Sequence, residues 1–202
     1  DVLKVISESP ADVQPVFEAI AERAMALCDA KVSGVTRFDG EWVHLVAYRG
    51  ASRESEDAMR SVFPVQANGT TLTGHAIRER KPVQISDVLA EPDYGPKDAA
   101  RLAGFRANLA VPMMREGHVV GAISVCRAEV GPFPEKQVQL LQTFADQAVI
   151  AIQNARLFNE TKEALERQTA TAEVLRVISG SVTDTQPVFD AIVASCQRLF
   201  AG

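Results

Sequence analysis

The sequence predicts an α+β domain, an antiparallel sheet bounded by a helix at its start and a much longer helix at its end. Three observations carry that prediction. Residues 32–38 and 42–48 are rich in β-branched and apolar side chains and flank Asp39-Gly40, a two-residue hairpin signal. Residues 108–114 and 118–126, joined by Arg115-Glu116-Gly117, form a stronger pair in which nearly every position is apolar or small, as in central strands covered on both faces. Helical periodicity precedes the first pair and follows the second.

Taken in order, the first helix is expected from Asp12, whose carboxylate can cap it, to about Asp29. Pro15 falls in its first turn, where a missing N–H costs little, and Val16, Phe17, Ile20, Ala24 and Leu27 recur at helical spacing. After the hairpin, Gly50 closes the second strand, and residues 53–62 read as a short polar helix stopped by Pro64. Thr71 begins a helical turn through Gly74, His75 and Arg78; Lys81-Pro82 breaks it, and residues 83–85 form a short strand. Residues 87–103 are the least regular stretch, mostly loop and short helix. In the last strand, Gly121 marks a close approach of another backbone or a ligand.

After Gly131-Pro132-Phe133, Pro134 and Glu135 open a helix that meets no breaker before Gly180. Such a helix has roughly 45 residues and is about 70 Å long at 1.5 Å per residue, several times the globular average, so it is expected to outrun its domain. Val138, Leu141, Ala145, Ala148, Val149 and Ile152 make a broad apolar stripe suited to covering a sheet. Beyond Asn154 the pattern narrows to Phe158, Leu165 and Ala172, seven residues apart, with polar Thr161 and Gln168 between them and Leu175 after them. A seven-residue apolar repeat supports a parallel two-stranded coiled coil, here a weak one because its intermediate positions are polar. The alternative is a single solvated linker helix held by local ion pairs.

The two ends of the chain repeat each other. Val2-Leu3-Lys4-Val5-Ile6-Ser7 returns as Val174-Leu175-Arg176-Val177-Ile178-Ser179, and Asp12-Val13-Gln14-Pro15-Val16-Phe17 as Asp184-Thr185-Gln186-Pro187-Val188-Phe189. A period this long exceeds any solenoid repeat, so the unit is a domain plus its connector within a tandem array. The expected divisions are the end of an incoming linker helix at 1–11, a domain at 12–156, a linker helix of coiled-coil type at 157–182, and the first helix of a second, truncated repeat at 183–202. Val188, Phe189, Ile192, Leu199 and Phe200 of that last helix would form an apolar stripe without a sheet of their own.

Composition narrows the function classes. The 202 residues are 47% hydrophobic with a net charge of −5, enough for one well-buried domain and without the basic surface that nucleic acid requires. No apolar run approaches the length of a membrane span. Cys28, Cys126 and Cys196 are odd in number and lack metal-ligand spacing, which suits buried thiols in a reducing, cytoplasmic setting.

Several stretches together resemble one family. They are Thr70-Thr71-Leu72-Thr73-Gly74-His75-Ala76, Arg80-Lys81-Pro82-Val83-Gln84-Ile85-Ser86-Asp87-Val88, Gly104-Phe105-Arg106-Ala107-Asn108-Leu109-Ala110-Val111-Pro112-Met113, and Arg115-Glu116-Gly117-His118-Val119-Val120-Gly121-Ala122-Ile123. Over about residues 12–156 the chain resembles a GAF domain, the small-molecule-sensing relative of the PAS fold. The resemblance implies a central antiparallel sheet of five to six strands, with the N- and C-terminal helices packed side by side on one face. It also implies a ligand-type pocket on the other face beneath the irregular segment, and a long C-terminal signalling helix. The repeated connector is similar to those joining tandem GAF modules of bacterial sensor kinases and cyclases.

Carried over by position, the pocket of cyclic-nucleotide-binding relatives falls on Tyr48 and Arg49, on Leu72 and Thr73 at a helix start, and on Tyr94, Asp98 and Arg101 in the lid. Phe105 and Val111 would bound the same space with Leu72 and Tyr94. The Asn-Lys-Phe-Asp-Glu signature of those relatives is not recognisable. His75 is the best candidate haem ligand among three histidines, although none has a motif for that role, and the lid lacks the cysteine that bilin attachment requires. Methionine sulfoxide reduction, an activity of some relatives, needs two pocket cysteines, and the three here do not converge on the lid.

The expectation is therefore a non-catalytic regulatory GAF module of a cytoplasmic signalling protein, a sensor histidine kinase first and a nucleotide or diguanylate cyclase second. Its expected partners are a second copy, through the N- and C-terminal helices with Phe158, Leu165, Ala172 and Leu175, and neighbouring GAF and output domains. Nucleic acid and membrane contacts are not expected. A dimerisation module without ligand, and a haem or cyclic-nucleotide sensor, stay open beside it; no cofactor is required.

Overall fold

Helix α1 (Gln14–Leu27) turns Val16, Ile20, Ala21 and Ala24 to the interior in the computed structural model, which describes residues 13–50, 52–67 and 70–180 together with 190 and 193. Pro15 sits in its first turn, and Val13 occupies the cap position with no side-chain hydrogen bond. Asp12, the expected cap, lies outside the described residues, as do 1–11 and, within 183–202, all positions but 190 and 193, so the expected incoming linker and the expected second repeat fall there.

Strands β1 (Val32–Phe38) and β2 (Trp42–Arg49) pair antiparallel. The connection is wider than the expected two-residue hairpin, because Phe38 pairs with Val43. Its organiser is the Asp39 carboxylate, which accepts the N–H groups of Glu41 at 3.0 Å and Trp42 at 2.7 Å and meets His44 Nε2 at 2.7 Å. An aspartate at this place folds the turn around its own side chain, and these partners hold its carboxyl well below the usual carboxylate range.

Helix α2 (Arg53–Arg60) is capped by Ser52, whose side chain accepts from Ser55 N, and the two-residue strand β3 (Val65–Gln66) extends the sheet beyond β2. Thr71 caps helix α3 (Leu72–Glu79) by accepting Gly74 N at 3.2 Å, and Arg80 ends it in a left-handed conformation. Strand β4 (Val83–Ile85), helix α4 (Lys97–Ala103), β5 (Ala107–Arg115) and β6 (His118–Arg127) follow. The tight two-residue turn lies between β5 and β6, where Arg115 pairs with His118 and Glu116 and Gly117 both have positive φ, the geometry that matches strand twist in a hairpin.

The six strands run in the order β3-β2-β1-β6-β5-β4. Gly121 permits the β1–β6 contact: a β-carbon there would overlap the carbonyl oxygen of Thr36, so the close neighbour is backbone.

The chain divides into two units between Ala155 and Arg156. Helix α5 (Glu135–Gly180) spans 46 residues and begins in the first of them. There Leu141, Ala145, Ala148 and Val149 are buried with Val16, Ile20 and Ala24 of α1 against Val35, Leu109, Val111, Met113, Ile123 and Val125 of the sheet. In the second unit the helix carries i,i+4 ion pairs, Arg156 with Glu160 and, more loosely, Lys162 with Glu166 and Glu163 with Arg167. Such pairs contribute about 0.3–0.5 kcal/mol each. Phe158, Leu165 and Leu175 are each more than half exposed.

Candidate functional site

Strand alternation assigns side chains to two faces. In β5, Leu109, Val111 and Met113 face the terminal helices, while Asn108 and Ala110 face the other way; in β6, Ile123 and Val125 oppose Ser124 and Cys126. The second face is roofed by α3, α4 and the irregular segment before α4.

That roof is clasped at several points. Asp87 accepts from Arg106 through both carboxylate oxygens, with Nε to Oδ1 at 2.7 Å, and takes Leu89 N at 3.1 Å. Arg106 O accepts Val88 N at 2.7 Å, and Thr70 O at the head of α3 accepts Gly95 N at 2.8 Å. Inside, Val88, Tyr94, Ala100, Ala103 and Phe105 are buried. The Arg106 guanidinium lowers the Asp87 carboxyl below its ordinary range.

Little space is left beneath. The cavity between Tyr48, Leu72, Thr73, Tyr94, Asn108 and Cys126 measures about 30 Å³, room for one or two waters. Its polar atoms are uncharged. Tyr48 OH donates to Ser55 Oγ at 3.4 Å, and Asn108 Nδ2 donates to Tyr94 OH at 3.3 Å. Asn108 is 5% exposed, yet its Oδ1 is buried with no partner. Burial raises the pKa of both tyrosines and of Cys126, so all stay neutral at physiological pH.

A much larger concavity lies on the opposite side of the sheet. A groove of about 610 Å³ runs between α1 and the first part of α5, with Ile20, Leu27, Phe144, Ala148, Ile150 and Ala151 among its lining. Ile150 is 57% exposed. In the sequence, Phe144 and Ala151 continue the seven-residue series of Phe158, Leu165 and Ala172 backwards, and Gln147 and Asn154, also in the groove, continue that of Thr161 and Gln168.

The family model of the GAF domain matches residues 10–153. This chain belongs to the GAF domain family. Solved structures with the same fold include the second GAF domain of DevS from Mycobacterium smegmatis, with 24% identity, a TM-score of 0.57, and coverage of 74% of this chain and 99% of that one. A domain of a two-component sensor histidine kinase protein from Sinorhizobium meliloti 1021 has 19% identity, TM-score 0.54, and coverage of 72% and 93%. The free methionine-R-sulfoxide reductase from Neisseria meningitidis has 16% identity, TM-score 0.59, and coverage of 77% and 86%. Proteins this different share the GAF fold, so function has to be argued from the residues.

Placed on this GAF domain, the site residues separate into groups. Tyr48, Leu72, Thr73 and Tyr94 line the small cavity, and Phe105 is packed in the same buried cluster. Arg49 is instead engaged with Glu18 of α1 at 3.0 Å. Asp98 and Arg101 pair with each other at 2.6 Å on the outer side of α4, where the Asp98 side chain is 93% exposed. His75 is half-buried in a separate cleft of about 310 Å³ with Glu79, Glu91 and Asp93.

Val111 requires correction. Its parity in β5 puts it with Leu109 and Met113 under the terminal helices, so it does not bound the cavity. The residue missed in its place is Asn108, a lone amide at the head of an apolar strand, whose parity points it under the lid.

The cavity holds neither a cyclic nucleotide nor a haem in this conformation. An unpaired buried anion costs several kcal/mol, while the N-terminus of α3 returns about 0.3–1 kcal/mol and about 2 kcal/mol at best. Among the described residues no group of three or more His, Cys, Asp or Glu is placed to hold a metal ion. Cys28 and Cys126 sit in different clusters on opposite faces of the sheet, and burial pushes the Cys28 thiol up to about 11 and that of Cys126 further. Cys196 lies outside the described residues.

Proposed function

We propose that this chain is a regulatory GAF module of a multidomain signal-transduction protein. In this reading two copies associate through α1 and α5, and the dimeric helices carry a conformational signal. The observation that carries it is the groove between α1 and α5. It is far larger than the cavity beneath the lid, it is predominantly apolar, and its α5 residues fall in the heptad register that Phe158, Leu165, Ala172 and Leu175 continue. A seven-residue series needs a partner helix to bury it, and a second copy supplies the identical series in register.

Apolar residues at one heptad position and polar ones at the other make a seam of modest stability, the kind of two-state packing that a small bias can shift. The bias would come from the neighbouring module or from a ligand under the lid. The small cavity supports the neighbouring module as a source of that bias, and a relay without ligand is the second reading.

The parent protein in this reading is a sensor histidine kinase, with a nucleotide or diguanylate cyclase as the alternative, and this module contributes no catalysis. The repeated segment supports a tandem array. No helix among the described residues is long and apolar enough to cross a membrane, and a cytoplasmic setting is part of the proposal. Light scattering on the chain with and without residues 183–202 tests the association. A dimer in both cases is expected; a monomer in both contradicts the reading.

A further inference from the structure

The space behind the lid is small, but its chemistry is specific. Its lining carries hydroxyls, one amide and one thiol among apolar side chains, with no cationic or anionic group. Two independent features point to a ligand. The first turn of α3 enters the cavity at Leu72 and Thr73, and a helix start has N–H groups without intrahelical partners. Opposite, Asn108 keeps its Oδ1 buried and unpartnered although the residue is 5% exposed. A buried amide atom left unpaired is expensive, and its persistence signals a missing partner.

The amide can be turned over within the same density of neighbours. Then Oδ1 would accept from Tyr94 OH and Nδ2 would be the unpaired atom. In the orientation shown, a ligand donor against Oδ1 and a ligand acceptor against the head of α3 satisfy the site; turned over, the amide would call for acceptors alone, which an anion such as formate supplies, so the charge preference tells the two apart.

We propose that the cavity binds a small uncharged molecule bearing both a hydrogen-bond donor and an acceptor, and that it discriminates against anions of the same shape. This rests on reading the chain as a regulatory module, and supplies the chemical class of its input. The absence of a lining cation decides the charge, since an anion entering here would leave its hydration for neutral dipoles alone. At about 30 Å³, the cavity restricts an occupant of the closed form to roughly the space of two waters; anything larger requires the Asp87–Arg106 clasp to open.

Formamide and formate test this, being alike in size and shape but different in charge. Each is titrated into the 15N-labelled 202-residue chain while the Asn108 side-chain amide and the Thr73 and Gly74 backbone amides are followed by NMR. The expected result is a saturable shift with formamide, with formate at least about tenfold weaker, and a loss of about tenfold in formamide affinity on Asn108→Leu. Tyr94→Phe, which removes the hydroxyl that fixes the Asn108 amide and keeps the ring, is expected to weaken formamide in the same direction and serves if Asn108→Leu fails to fold. Formate binding as tightly as formamide, or formamide shifts that grow without saturating, would overturn the proposal and leave the cavity to water. Light scattering on the same samples separates the two ideas. A dimer lacking a saturable formamide shift overturns the ligand class alone, and a monomer showing one overturns the relay alone.

Discussion

The two faces of the sheet are built from the same strands, yet they distribute space in opposite ways. Beneath the lid, where Phe105 packs in the buried cluster, Tyr94, Leu72 and Tyr48 close around about 30 Å³. On the helix face the inner residues are equally buried, but the outer surfaces of α1 and α5 leave an open apolar groove of about 610 Å³. A strand side chain belongs to one face by parity, so substitutions at neighbouring positions interrogate different faces. The lesson is that the open apolar groove of this GAF domain lies on the side of the terminal helices.

The comparison can be broken most forcefully at Phe105, which is 1% exposed. Phe105→Ala is expected to cost about 3–5 kcal/mol in urea denaturation. A loss below about 1 kcal/mol would mean that the lid packs loosely and that the two faces are more alike than described. A smaller effect is expected at the head of α3, where Thr71→Ala removes the acceptor for Gly74 N and should cost about 1 kcal/mol. On the lid side this change should also loosen the Thr70–Gly95 contact, visible as faster amide exchange at Gly95.

The clasp itself should respond to acid. Asp87 has its pKa lowered by Arg106, so its contribution is fully present above the ordinary carboxylate range, near about pH 4, and is lost as pH falls through the lowered value. Protection factors for residues 88–105 should therefore drop below about pH 4 before those of β5 and β6. Asp87→Asn should remove that pH dependence; a lid that loosens in parallel with the sheet in both proteins would contradict it.

The smallest expected signal is thiol reactivity. With Cys28 at about 11 and Cys126 higher, iodoacetamide at pH 8 should label neither in the native protein and both after unfolding, as read by peptide mass spectrometry. Rapid native labelling of both would revive an enzymatic thiol reading and place an accessible site where the structure has closed core.

Much of the fold was legible because it rests on strong local signals. The β5–β6 pair announced itself by continuous apolar residues around Glu116-Gly117, and α5 by the absence of a breaker. Other features were hidden for identifiable reasons. Asp39-Gly40 reads as a tight hairpin, but the Asp39 carboxylate competes for the turn's N–H groups and widens it. Strand β3 is too short to show periodicity. In the site, family position suggested Arg49, Asp98 and Arg101, whose charges find partners at 3.0 and 2.6 Å outside the cavity. The backward extension of the heptad to Ala151 and Phe144 was present in the sequence, concealed by the broader stripe of Leu141, Ala145 and Val149 that overlaps it.

In the proposed dimer, the groove between α1 and α5 is the surface that meets a second copy. Ile150 lines it and is 57% exposed, so an aspartate there leaves the domain core untouched. Sedimentation equilibrium of the wild-type chain and of Ile150→Asp measures the claim directly. The predicted result is a wild-type dimer whose dissociation constant rises by at least about tenfold in the variant, the loss of one buried aliphatic side chain, with unchanged thermal unfolding of the monomer. A wild-type monomer, or a dimer indifferent to the substitution, would contradict it.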